Sequence, residues 1–171
     1  MITKQFDTIN FPEGGPGMNV PNLLTLGGAS GQLLLNRVIP QGRIEVVSEN
    51  HPFQQLVQLA ALSRPNAPGA LALEIVGNDP TFVYTVEYRQ AEGWDSGLPA
   101  SGILVHQFSP GLIPYSYLQD PNTINDGMYS LPHTQWIAPD STVSVTVCSI
   151  DPAQGTATIS VGAPIFSSVC P

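Results

Sequence analysis

Glu87, Arg89, Asp95 and His106 form the one dense group of ionisable side chains in this chain. Two chemistries fit them. A histidine beside a carboxylate is an acid–base pair, because the carboxylate tunes the imidazole towards neutral pH. An arginine beside two carboxylates is an anchor, because the planar guanidinium forks onto such partners. Glu87 and Arg89 stand two apart and so share one face of a strand. His106 comes from a second strand and Asp95 from the stretch between, with Trp94 placed to pack beneath. Arg89 forking onto Asp95 or Glu87 would hold a long hairpin loop in place, and this structural network is the favoured reading over an acid–base site.

Other chemistries are thinner. His51, His106 and His133 are followed by Pro-Phe-Gln-Gln, Gln-Phe-Ser-Pro and Thr-Gln-Trp-Ile, so none begins the paired-histidine helix of a zinc hydrolase. Ser30 lacks the second glycine of a nucleophile elbow, and the joint Gly27-Gly28-Ala29-Ser30-Gly31 lacks the lysine of a phosphate loop. Asp120, Asn122, Asn125 and Asp126, closed by Gly127, supply oxygen ligands for calcium, although Asx side chains also serve their own backbone in turns. Calcium is the one cofactor these residues offer. Tyr115, Tyr117, Tyr129 and Trp136 flank the same region and would form a glycan-binding platform if exposed; core packing is their other use.

The elements that position these groups are short. Phe82, Tyr84, Val86 and Tyr88 alternate with Val83, Thr85, Glu87 and Arg89, the two-residue period of a strand with unlike faces. Residues 102–108 are apolar and branched and should return antiparallel to it. Similar stretches occur over 32–39, 43–48, 70–76, 115–119, 127–131, 134–137, 142–150 and 156–161, with turn residues between. Residues 50–62 read two ways: Asn50 before His51-Pro52 suits a capped helix, whereas Leu56 to Leu62, apolar on both faces, suits a buried strand. In 142–150, Val143, Val145 and Val147 form one face and Thr142, Ser144, Thr146 and Cys148 the other. A free thiol on that polar face is a liability, so the residues favour a disulfide from Cys148 to Cys170 and an oxidising compartment.

The run VEYRQAEGWDSGLPASGILVHQF resembles a segment that follows the catalytic domain in secreted metallopeptidases of the immune-inhibitor-A and gametolysin-like kind. The matching residues are Glu87, Arg89, Gly93, Trp94, Asp95, Gly97, Pro99, Gly102, Val105 and His106, with a weaker likeness over 55–161. The resemblance implies an extracellular β-sandwich accessory domain, and it favours a strand over a helix after Pro52. The family's H-E-x-x-H zinc motif is absent, so the likeness is to a non-catalytic part.

Composition agrees with an all-β fold. Of 171 residues 11% are charged, while 16 are glycine and 17 proline, which suits many tight turns better than charged helices. The expectation is a single antiparallel β-sandwich, Greek-key or jelly-roll-like, with little or no helix, over 32–171, and a turn-rich extended segment over 1–31 packed on it. A net charge of −8, with Lys4, Arg37, Arg43, Arg64 and Arg89 the only cations, argues against nucleic acid. No apolar run reaches membrane-spanning length, so no membrane partner is expected, and residues 1–17 lack the pattern of a secretory leader. The leading function is a non-catalytic extracellular accessory or binding module for protein or glycan, or a support for a neighbouring peptidase. A self-assembling structural subunit is the alternative, and a metal-dependent hydrolase fragment comes third.

Overall fold

Alternation in the sequence becomes strand in the structure almost throughout. The computed structural model describes residues 42–50, 53–77, 79, 81–109, 115–119, 128–164 and 170–171. Its strands are β1 (Ile44–Ser48), β2 (Gln55–Ala60), β3 (Ala72–Val76), β4 (Val83–Arg89), β5 (Gly102–Ser109), β6 (Tyr115–Leu118), β7 (Gln135–Ile137), β8 (Ser144–Asp151) and β9 (Thr156–Gly162). One sheet has the order β1-β3-β4-β5-β6 and the other β2-β9-β8-β7. No described residue is in an α-helix. The strand reading of 55–60 holds because Val57 and Leu59 point into the core and pair across to Ile159 and Ala157 on β9.

Two meanders, β3 to β6 and β7 to β9, supply most of the pairing, all of it antiparallel. The first strand departs from the antiparallel expectation. Between β1 and β3 the chain crosses to the other sheet as β2 and returns, reversing direction twice, so β1 and β3 lie parallel, with Ile44 opposite Ala72 and Ser48 opposite Val76. The stretch expected as a strand over 127–131 contributes a single described bridge, Ile103 to Tyr129. The expected strand 32–39, the segment 1–31 and the oxygen-rich residues Asp120, Asn122, Asn125 and Asp126 lie outside the described residues.

Between the sheets the core gathers Leu73, Ile75, Val86, Tyr88, Ile103 and Val105 from one side with Val57, Leu59, Val145, Val147, Ile159 and Val161 from the other. Burying side chains of this size contributes about 1.5–3 kcal/mol each before chain entropy is charged against it. At β4 and β5 both faces of the first sheet are covered. On β4, Thr85, Glu87 and Arg89 turn away from the core yet are as buried as Tyr84, Val86 and Tyr88, which face it. A sandwich usually leaves that outward face in water. Here Leu98, Leu104 and Met128 make a second small apolar cluster over it, with Leu118 against them.

Candidate functional site

The covered face of the first sheet holds the ionisable hairpin residues. The β4–β5 register sets Thr85 opposite His106, Glu87 opposite Leu104 and Arg89 opposite Gly102. The period-2 alternation therefore delivers Glu87, Arg89 and His106 to one side. Asp95 arrives from the connecting loop, where Gly93–Asp95 form a single 3-10 turn. Gly93 adopts a φ of 53°, a left-handed conformation that glycine takes without strain. Asp95 N–H donates to Glu92 O at 2.8 Å and Leu98 N–H to Asp95 O at 2.9 Å, so the loop folds back over the strands.

The geometry is that of an anchor. Arg89 Nη2 donates to Asp95 Oδ1 at 2.6 Å, and Arg89 Nη1 lies 3.5 Å from Glu87 Oε1. Glu87 is 0% exposed, and Arg89, Asp95 and His106 are 2% exposed each. One guanidinium thus serves a carboxylate of its own strand and a carboxylate of the loop, away from water. Burial first, and then the charge of Arg89, push the His106 imidazole down to about 3, so it is neutral at ordinary pH. A neutral, enclosed imidazole next to a cation is poorly placed to take a proton from a substrate. Thr85, opposite His106, keeps a buried hydroxyl without a hydrogen bond to the described residues. Beyond it in the same row Glu74 is partly buried, and that burial raises its carboxyl above the usual range.

Two of the four aromatic residues are turned into the protein. Tyr129 and Trp136 are buried at 3% and 6% exposure, and both belong to the inter-sheet core. Trp136 packs edge-on against Tyr84 with ring centroids 4.8 Å apart. Tyr117 is half-exposed on β6, the edge strand that Tyr115 opens. Large apolar rings facing a core contribute to stability and cannot stack on a sugar in water. The side chains of Trp94 and Tyr115 lie outside the described set.

Cys148 and Cys170 are bonded. Cys148 sits where β8 is bulged, between Val147 and Ser149 in the register with β9. The bulge inserts one residue and reverses the alternation, so Val143, Val145 and Val147 face inward before it and Ile150 after it. On the outward side Ser144 and Ser160 are fully buried, and Gln54 bonds both hydroxyls and the Ala163 carbonyl.

Two arginine clamps are absent from the reading of the sequence. Arg64 bonds Glu92 through Nε and Nη2, both at 2.6 Å, and reaches Ala153 O at 3.0 Å. That joins the loops after β2, β4 and β8 at one end of the sandwich. Arg43 donates to the carbonyls of Gly69, Pro65 and Ala67 at 2.5, 2.9 and 2.6 Å. A chain with five cations signals this by scarcity, since each arginine is worth tracing to a partner. Comparison with protein-family models, curated proteins and solved structures finds no match for this chain.

Proposed function

We propose that the chain is a non-catalytic, exported β-sandwich module that binds a protein partner or supports a neighbouring peptidase. The observation that carries this reading is the enclosure of Glu87, Arg89, Asp95 and His106, with Arg89 paired to both carboxylates. Groups so placed brace a scaffold, and none of the four is presented to solvent for acid–base work. The resemblance of that hairpin to the region following the catalytic domain of immune-inhibitor-A-like peptidases supports an accessory role. The disulfide is compatible with an oxidising compartment, and no helix among the described residues is long and apolar enough to cross a membrane. Protein is preferred to glycan as the ligand, because Tyr129 and Trp136 are committed to the core.

A second reading, self-assembly, is favoured by exposed apolar side chains on edge strands: Val46 on β1, Leu56 on β2 and Ile137 on β7. Unpaired edges with apolar side chains are templates for association. One preparation tests both. Purified chain incubated with casein should yield no fragments, whereas cleavage that survives repurification and stops with a chelator overturns the non-catalytic reading. Its mass by light scattering should be that of a monomer across micromolar concentrations; growth with concentration favours assembly over the module.

A further inference from the structure

We propose that the outward face of the first sheet, at β1 and β3, docks a basic side chain of a partner protein, a lysine or arginine flanked by apolar residues, on Glu74 and Thr85. The inference rests on the reading of the chain as a protein-binding module and names the chemistry of its partner. Register assembles the site. Val46 on β1 stands opposite Glu74 on β3, and Glu74 opposite Thr85 on β4. A neighbouring row holds Ser48, Val76 and Val83. Both rows point away from the core, because Val47, Ile75 and Tyr84, which stand between them, point into it.

Two observations point to a ligand. Glu74 is partly buried, yet it has no ion pair or hydrogen bond among the described residues. Burial alone acts on its carboxyl, so no donor or cation offsets the water it has lost. Thr85, its direct neighbour, is 0% exposed, and its hydroxyl has no hydrogen-bond partner among the described residues. Buried polar groups are costly to leave unmatched, and one ammonium or guanidinium carries donors enough for both oxygens. Around them Val46 and Val76 are 59% and 41% exposed, an apolar rim on which the aliphatic stem of such a side chain can lie. The face is closed beyond Thr85 by the buried His106, so the approach is from the β1 edge.

Charge decides the occupant. An apolar partner would bury the carboxylate further with no counter-charge, at a cost. A second copy of the chain offers little better, because Arg43, Arg64 and Arg89 are each bonded within their own chain. A basic partner supplies what the face lacks, and the net charge of −8 favours its approach.

Amide NMR on the isotope-labelled full chain tests the site with two probes, acetyl-Val-Lys-Val-amide and its norleucine analogue, which keeps the aliphatic stem and lacks the charge. The lysine peptide should shift the amides of Val46, Glu74, Val76 and Thr85. The norleucine peptide should bind roughly 10–100-fold more weakly, the scale of a hydrogen bond to a charged group, and Glu74→Gln should weaken the lysine peptide comparably. Equal affinity for the two peptides, unchanged binding in Glu74→Gln, or no shift at all overturns the site. If Glu74→Gln fails to fold, the comparison of peptides on the parent protein decides. Shifts confined to another surface overturn the site and leave the module reading standing, since casein cleavage and light scattering test that reading independently. Shifts at these same amides that grow with protein concentration and need no peptide would put a second copy there and overturn the basic partner.

Discussion

Arg89 is a cation with two buried carboxylate neighbours, and its removal takes a counter-charge from both. Arg89→Ala should therefore destabilise the fold by about 3–5 kcal/mol, the usual cost of breaking one side of a buried pair. Adding Asp95→Ala should cost less than the sum of the two single changes, because the second removes a charge the first left stranded. Urea denaturation of the four proteins measures this, and strict additivity would dissolve the network. His106 gives a pH signature. Its folded value, near 3, lies below the ordinary 6.5, so the unfolded chain binds the proton first. The associated stability is complete above about 6.5 and drains away as pH falls towards 3, with a slope of at most about 1.4 kcal/mol per pH unit for one proton. Melting temperatures from pH 7 to pH 4 should fall less steeply in His106→Gln than in the parent; equal slopes would assign the acid sensitivity elsewhere. That these residues meet is legible from spacing and alternation alone. Their burial is not, because the cover over Thr85, Glu87 and Arg89 combines the hairpin's own loop with Met128 and Leu118 from later in the chain, and no local pattern announces that meeting.

At the level of elements, the strands were readable wherever one face is uniformly apolar, as in Val143, Val145 and Val147. The parallel alignment of β1 with β3 was hidden, since it depends on β2 joining the opposite sheet, and nothing within 44–48 encodes that. The fate of Trp136 was hidden for the same reason: an aromatic on a three-residue strand can face either way, and only its contact with Tyr84 decides. The loop 65–69 shows a further non-local dependence. A Cβ on Gly69 would press on the Gln58 carbonyl, its φ is 109°, and Arg43 holds its carbonyl from outside. The Cys148–Cys170 bridge acts on the elements that follow β7. It closes a separation of 22 residues, for which chain entropy alone predicts about 3 kcal/mol. Thiol titration of the unfolded, unreduced protein should find no free thiol, and replacing both cysteines with serine should lower stability by about that amount. Two reactive thiols would remove the bridge and the case for an oxidising compartment.

For the whole molecule, net charge is negative, at −8, and the described cations are all engaged. Arg43, Arg64 and Arg89 all turn their guanidinium groups onto the protein itself. A surface of this kind should repel polyanions, and the protein is expected to pass unretained over immobilised heparin at low salt. Retention there would assign the remaining cations, Lys4 and Arg37, an active part. The pairing of β2 with β9 bears on how such a chain comes into being. Gln55 lies opposite Val161 and Ala60 opposite Thr156, so β2 waits for a partner emerging about a hundred residues later. The meanders from β3 to β6 and from β7 to β9 have their neighbours within reach during synthesis, and β2 does not. Until β9 is made, Leu56, Val57 and Leu59 form an apolar strand without an inner neighbour, the state in which nascent chains attract chaperones or one another. The arrival of β9 therefore decides whether β2 is covered, and a chain cut short before Thr156 is expected to be adhesive.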